Sequence, residues 1–268
     1  MKQRICILLL GCVCSMQWIS AQKKFPQYES DVYVSKSGDS LLYRSLKPEN
    51  VAEGKTYPLV LFLHGAGERG SDNEKQLFHG GMLFTNPVNR TQYPAFVLFP
   101  QCPEDRYWPT PLRPDGFKDG NPFPIDTEIS RPLALVKELL DRTMAEYPVD
   151  PRRVYVMGLS MGGMGTFDLV CRYPDLFAAA IPICGGIHTG RLEKLVTSTK
   201  FRIYHGDSDS VVPVEFSREA YLALKKAGIE AEYIEFPGVD HGSWYPAFSQ
   251  PDYLSWLFGQ RKPDGGGL

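Results

Sequence analysis

Six short apolar runs, continuous where a half-buried strand would alternate, constrain this chain more than any other feature: Leu59 to Leu63, Ala95 to Phe99, Val154 to Met157, Ala178 to Ile183, Phe201 to Tyr204 and Ala231 to Phe236. Strands with this pattern are covered on both faces, the condition of a parallel sheet lying between two layers of helices. Helical stretches separate them. From Thr127 to Tyr147, the apolar residues Ile129, Leu133, Val136, Leu140 and Met144 recur every three or four positions and share one helix face. Gly162 to Arg172, Pro213 to Ala227 and Gln250 to Phe258 are shorter helix candidates. Ahead of the runs, Asp31 to Ser35 alternates, Ser37-Gly38-Asp39-Ser40 turns and Leu41 to Leu46 returns, which predicts an N-terminal antiparallel hairpin. The repeated order of strand, helix and strand predicts an α/β fold in one domain, with a mostly parallel central sheet and helices on both faces.

Composition narrows the function classes. With 43% hydrophobic and 22% charged residues the chain is globular, which excludes disordered, collagen-like and coiled-coil classes. A formal net charge of −2, without a run of Lys or Arg, offers nothing to nucleic acid or to an anionic membrane surface. Lys2 and Arg4 precede an apolar stretch from Ile5 to Ile19, and small residues at Ser20 and Ala21 complete the pattern of a secretory signal peptide. We read residues 1–21 as that signal, cleaved after Ala21, 22–258 as the folded domain and 259–268 as a flexible tail; the protein is expected to be secreted or periplasmic, without stable membrane insertion. Leu9-Leu10-Gly11-Cys12 also resembles a lipobox, so lipoprotein anchoring at Cys12 is the alternative. Three cysteines remain beyond the signal, Cys102, Cys171 and Cys184, too few and too uneven for a disulfide framework; three buried free thiols are expected, with one bridge plus a free thiol as the alternative.

Chemistry enters at Gly158-Leu159-Ser160-Met161-Gly162, followed by Gly163, between a buried strand and a helix. In that context G-x-S-x-G is a strained turn that projects its serine from the carboxyl edge of the sheet, with glycines where neighbouring backbone comes close. A serine hydroxyl needs a base and a carboxylate to become a nucleophile. Of five histidines, His64, His79, His188 and His205 sit in Gly-flanked or strand-end settings that suit structural roles. His241, in Gly238-Val239-Asp240-His241-Gly242 after the last strand, falls at the same sheet edge as Ser160. Asp207 and Asp209 both follow the strand ending at Tyr204 and are candidate acids. No Cys/His cluster with ligand spacing stands out, so neither metal nor cofactor is expected.

Together Leu63-His64-Gly65-Ala66-Gly67, Gly158 to Gly163, His205 to Pro213 and Asp240-His241-Gly242 resemble the α/β-hydrolase superfamily from about Leu59 to His241. That resemblance implies the order nucleophile, acid, base as Ser160, Asp209, His241, because the superfamily's H-G-x-x-D-x-x-V-P pattern puts the acid at Asp209 and leaves Asp207 as a loop carboxylate. It also implies an oxyanion hole made by the amides of Met161 and, by likeness to esterases carrying L-H-G-x-G, of Ala66. Leu63 to Gly70, Pro100-Gln101-Cys102-Pro103 with Trp108, and Gly158 to Gly163 look like secreted bacterial phospholipase/carboxylesterase-like proteins labelled predicted peptidases, whose relatives include feruloyl and acetyl esterases. Dienelactone hydrolases share the scaffold but carry cysteine where Ser160 stands.

The proline-rich connection Gln101 to Asp126 is long enough to line a site, and Trp108 within it is expected to form an aromatic wall over Ser160 for an acyl group or sugar ring. Glu68 and Arg69 could contact substrate or pair with each other. The chain therefore reads as an exported serine hydrolase that cleaves carboxylic esters, small or carbohydrate-linked, through an acyl-enzyme. A prolyl-oligopeptidase-like peptidase and a noncatalytic binding protein on a hydrolase fold are the rival readings.

Overall fold

The structure is a computed structural model that describes residues 25–109 and 123–264. The expected signal peptide, with Cys12, and the last four residues of the chain lie outside the described residues. Among the described residues, no helix is long and apolar enough to cross a membrane.

In chain order the elements are β1 (Glu29–Val34), β2 (Ser40–Leu46), β3 (Tyr57–Leu63), α1 (Gly81–Thr85), α2 (Pro87–Gln92), β4 (Phe96–Pro100), α3 (Arg131–Glu146), β5 (Val149–Leu159), α4 (Met161–Arg172), β6 (Ala179–Ile183), α5 (Thr189–Leu192), β7 (Lys200–Gly206), α6 (Glu215–Lys226), β8 (Ala231–Phe236), α7 (Trp244–Phe248) and α8 (Tyr253–Gly259). The eight strands form one sheet in the order β1-β2-β4-β3-β5-β6-β7-β8. The β1-β2 hairpin joins antiparallel at β4, and every pair from β4 to β8 is parallel. All six apolar runs are strands of this sheet, and the fold is the single-domain α/β-hydrolase architecture.

Burial on both faces explains those runs. Leu59, Leu61 and Leu63 of β3 pack with Leu133, Val136 and Leu140 of α3, Phe167 of α4 and Ala220 of α6. Val60 and Phe62, pointing the other way, pack with Phe84 of α1 and with Tyr253 and Leu257 of α8. Helix α3 begins at Arg131, later than the apolar spacing suggests, because Ser130 caps it: its Oγ accepts the Leu133 N–H, and Pro132 occupies the first turn. Of the segment read as a tail, Gln260 accepts from the Tyr155 hydroxyl and Lys262 donates its N–H to the Arg152 carbonyl.

The order of strand addition reverses at β3: β4 lies on one side of it and β5 on the other. Open α/β sheets place their sites at the carboxyl ends of strands at such a switch point. At that edge α4 crosses β3 so closely that a Cβ on Gly162 would overlap the Leu63 carbonyl, and one on Gly158 would stand 2.8 Å from the same oxygen. Both obstacles are backbone and cannot rotate away. Gly162→Ala is therefore expected to destabilise the fold by about 3 kcal/mol or more, a fall on the order of 6 to 12 °C in melting temperature for a domain of this size. Thermal denaturation checks this, and an unchanged midpoint would contradict the described crossing.

Candidate active site

Between β5 and α4, Ser160 takes φ 53° and ψ −118°, a left-handed strained conformation for a residue with a side chain. Neighbouring backbone holds it there. Its N–H donates to the Ile183 carbonyl at 2.8 Å, and its own carbonyl accepts the Met164 N–H at 3.0 Å. The Ser160 hydroxyl thus stands at the N-terminus of a twelve-residue helix, where unsatisfied amides and the helix dipole favour negative charge.

His241 follows β8, and its Nε2 lies 3.0 Å from Ser160 Oγ. Its Nδ1 lies 2.8 Å from Asp209 Oδ2 and 3.1 Å from Oδ1. A carboxylate can only accept, so Nδ1 carries the proton and Nε2 is left to accept the serine hydroxyl hydrogen. Asp209 has no side-chain exposure. Burial pushes its pKa up, but hydrogen bonds from His205, His241 and the Val212 and Val211 amides outweigh that and hold it well below the ordinary carboxylate range. The acid is therefore a fixed anion.

His205 is the residue that sequence reasoning undervalued. Fully buried, it gives its Nε2–H to Asp209 Oδ2 at 3.1 Å and to the Val212 carbonyl at 3.0 Å, while Ser217 Oγ meets its Nδ1 at 2.7 Å. Its place four residues before Asp209 was the available signal, since a histidine there shares the strand-end loop with the acid. Asp207 is a loop residue, as anticipated: its Oδ1 accepts from Ser208 Oγ and the Gly238 amide. Asp240 accepts from the Ser210 amide and hydroxyl and from the His241 amide, which ties the base's loop to the acid's loop.

The two amides expected to form the oxyanion hole lie on different elements. Met161 opens α4 and Ala66 opens a 3₁₀ turn, Ala66 to Glu68, directly after β3, so each N–H belongs to a helix start that lacks an internal acceptor. His64 fixes that turn. It is buried, its Nε2 accepts the Cys102 N–H at 2.9 Å, and its Nδ1–H donates to the Gly65 carbonyl at 2.6 Å. Arg69 grips the same turn by giving its Nε–H to the Ala66 carbonyl at 2.8 Å, and its guanidinium reaches the Glu104 carbonyl and stacks 4.4 Å over Tyr107. It is not paired with Glu68, whose carboxylate lies 3.6 Å from His79 Nε2 instead.

Trp108 requires a correction. It has no exposed surface; its indole N–H donates to the His64 carbonyl at 3.0 Å and its side chain packs against Gly165 of α4. An indole buried beneath the serine turn has no face free for a substrate, so Trp108 anchors the connection rather than forming a wall. Phe123, from the far end of that connection, packs with Met164, Val212 and Phe216 beside the start of α4. Residues 110–122 of the connection lie outside the described residues.

Cys184, the residue after β6, also has a positive φ, 39°. Its thiol, Asp209 and His241 lie within 4.8 Å of one another. The donors do not suit a metal ion. Burial pushes the Cys184 thiol up to about 12, the Asp209 oxygens are occupied, and His241 Nδ1 is protonated toward Asp209. Cys102 and Cys171 are likewise free, and burial pushes each up to about 12. A cavity of about 720 Å³ bounded by Tyr57, Arg90, Tyr93 and Phe258 opens at the other end of the strands, away from Ser160.

The family model described as phospholipase/carboxylesterase matches residues 50–250. The chain belongs to that family. A carboxylesterase of Arabidopsis thaliana, SOBER1, is 27% identical over 202 residues, which cover 68% of this chain and 82% of that protein. The crystal structure of a thermostable esterase superposes with a TM-score of 0.78 at 36% identity, over 89% of this chain, which spans 64% of that longer chain. A ferulic acid esterase from Anaeromyces mucronatus shares the fold, with a TM-score of 0.61 at 17% identity, over 93% of this chain and 100% of that one. This carboxylesterase-type hydrolase thus joins its family in fold and in class of reaction.

His64 gives this carboxylesterase a pH dependence of its own. Burial lowers its folded pKa to about 4, partly offset by the Gly65 carbonyl, whereas an unfolded histidine titrates near about 6.5. The neutral ring is the one that fits, so its contribution is complete above the unfolded value and is lost as pH falls toward the folded one, about 3 kcal/mol across that window. Urea unfolding at pH 7 and pH 4.5 should show this loss. His64→Gln should be less stable at pH 7 and lose less on acidification.

Proposed function

We propose that this carboxylesterase-type hydrolase works through a covalent acyl-enzyme on Ser160, with His241 as general base and acid and Asp209 as its orienting anion. The observation that carries the reading is the unbroken line from Ser160 Oγ to His241 Nε2, 3.0 Å, and from His241 Nδ1 to Asp209, 2.8 Å, ending at the start of α4. As Oγ attacks the ester carbonyl carbon, its proton passes to Nε2, and the carbonyl oxygen takes negative charge facing the Ala66 and Met161 amides. Collapse breaks the bond to the alcohol, which leaves with the proton from Nε2. Water then attacks the acyl-enzyme, giving a proton to Nε2, and the acid departs as Ser160 recovers its hydrogen.

For substrate we propose feruloyl or acetyl esters of carbohydrates, met outside the cytoplasm after cleavage of residues 1–21. Support comes from the basic, apolar and small-residue order of that segment, from the fold shared with a ferulic acid esterase, and from the aromatic cluster of Phe123 and Phe216 beside the serine turn. A fungal relative, 23% identical, bears the description of a secreted protein.

Ser160→Ala and His241→Ala should each lower kcat by roughly 10⁴ to 10⁶ on p-nitrophenyl acetate while the protein stays folded. A fluorophosphonate should label wild type and not Ser160→Ala; absence of label on the active wild type would sink the acyl-enzyme reading, and peptide amides cleaved as fast as esters would favour a peptidase. Mass spectrometry of protein recovered from the producing cell should find Gln22 at the N-terminus, whereas a lipid on Cys12 would replace secretion with anchoring.

A further inference from the structure

Beyond Ser160, a line of side chains leads away from His241 and back to the oxyanion turn. The Trp244 ring meets His241 edge-on with centroids 5.5 Å apart, His79 lies 5.0 Å from Trp244 and 5.7 Å from Tyr245, and His79 Nε2 lies 3.6 Å from Glu68 Oε1. The leaving alcohol takes its proton from His241, and Trp244 is the ring packed against that histidine. Tyr245 is exposed, and Glu68 and His79 each keep about an eighth of their side chains accessible, at 13%. Buried in the same group, the Trp244 indole N–H has no hydrogen-bond partner among the described residues.

We propose that Glu68, with His79 and the Trp244 and Tyr245 rings, is an alcohol-side subsite that accepts hydrogen bonds from hydroxyls next to the ester, selecting polyol and sugar esters over those of simple alcohols. The proposal rests on the esterase reading of Ser160 and His241. Glu68 suits this work because it is aimed inward beside the oxyanion turn, its Oε2 3.1 Å from where a Gly65 Cβ would stand, while its neighbour Arg69 is turned away to the Ala66 and Glu104 carbonyls. The Gly65 and Glu68 amides hold the carboxyl group in place, and burial works against its charge, raising its pKa. A cation on the substrate would meet His79 as a competitor. Hydroxyls meet an acceptor oxygen and ring faces, the pairing that sugar and polyol groups use.

The test is a ratio, so that general damage cancels: kcat/KM for glycerol monoacetate over kcat/KM for ethyl acetate. In wild type it should exceed about 10, and Glu68→Gln, which exchanges a charged acceptor for a neutral one, should cut it about tenfold, chiefly through KM. His79→Gln, a second variant that leaves Glu68 in place, should cut the same ratio severalfold. A wild-type ratio near 1, or a ratio unmoved by either substitution, overturns the subsite; so does preference for acetylcholine over glycerol monoacetate, which would make the pocket a cation site. Loss of both activities in wild type together with absent fluorophosphonate labelling would instead strike the reading of Ser160.

Discussion

Gly162 of α4 meets the carbonyl end of Leu63 with no room for a side chain between them, and the geometry of the site descends from that contact. It sets the distance between β3 and α4, and so between two backbone amides 95 residues apart in sequence, Ala66 and Met161. It also forces the turn between β5 and α4 to be abrupt, which is why Ser160 accepts a left-handed backbone that costs of order 1 to 3 kcal/mol. The cost is spread over hydrogen bonds to Ile183 and Met164 and over the helices that bury the sheet on both faces. A site geometry made of backbone in this way has little freedom to relax.

Asp209 plays the corresponding part on the other side of the cleft. Four N–H donors converge on one carboxylate that water does not reach, two from the Val211 and Val212 amides and two from histidine rings. Because the anion is already satisfied by these donors, it holds the Nδ1 proton of His241 in a preorganised setting. His205 and Ser217 behind it tie the acid to α6, and Asp240 ties the base's loop to the acid's loop. Hydrogen bonds thereby join the loop after β7, the loop after β8 and α6.

Much of this was legible in the sequence, and the boundary between what was and was not follows physical lines. Continuous apolar runs mark the six strands because both faces of a parallel sheet are dry. Ser160, Asp209 and His241 are brought together where the strand order puts them, since each follows a strand whose carboxyl end lies on one edge. The short helices α1, α2, α5 and α7 escaped notice: one turn or so is too little chain to show a period. Trp108 was misread because an aromatic in a long loop says nothing of whether it points out over the site or down into the core, and here the His64 carbonyl supplies the buried acceptor its N–H needs. His205 was seen as structural, a role it keeps, but the object it supports turned out to be the acid.

Cys184 stands within 4.8 Å of both Asp209 and His241, on strained backbone, and yet burial keeps its proton on sulfur. A thiol in that state is a poor partner for electrophiles and oxidants, which react with the thiolate. The site therefore joins two nucleophile types of opposite disposition: a hydroxyl hydrogen-bonded to an imidazole and a thiol, intrinsically the stronger of the two, kept protonated by burial. That difference decides which atom ages and which one works.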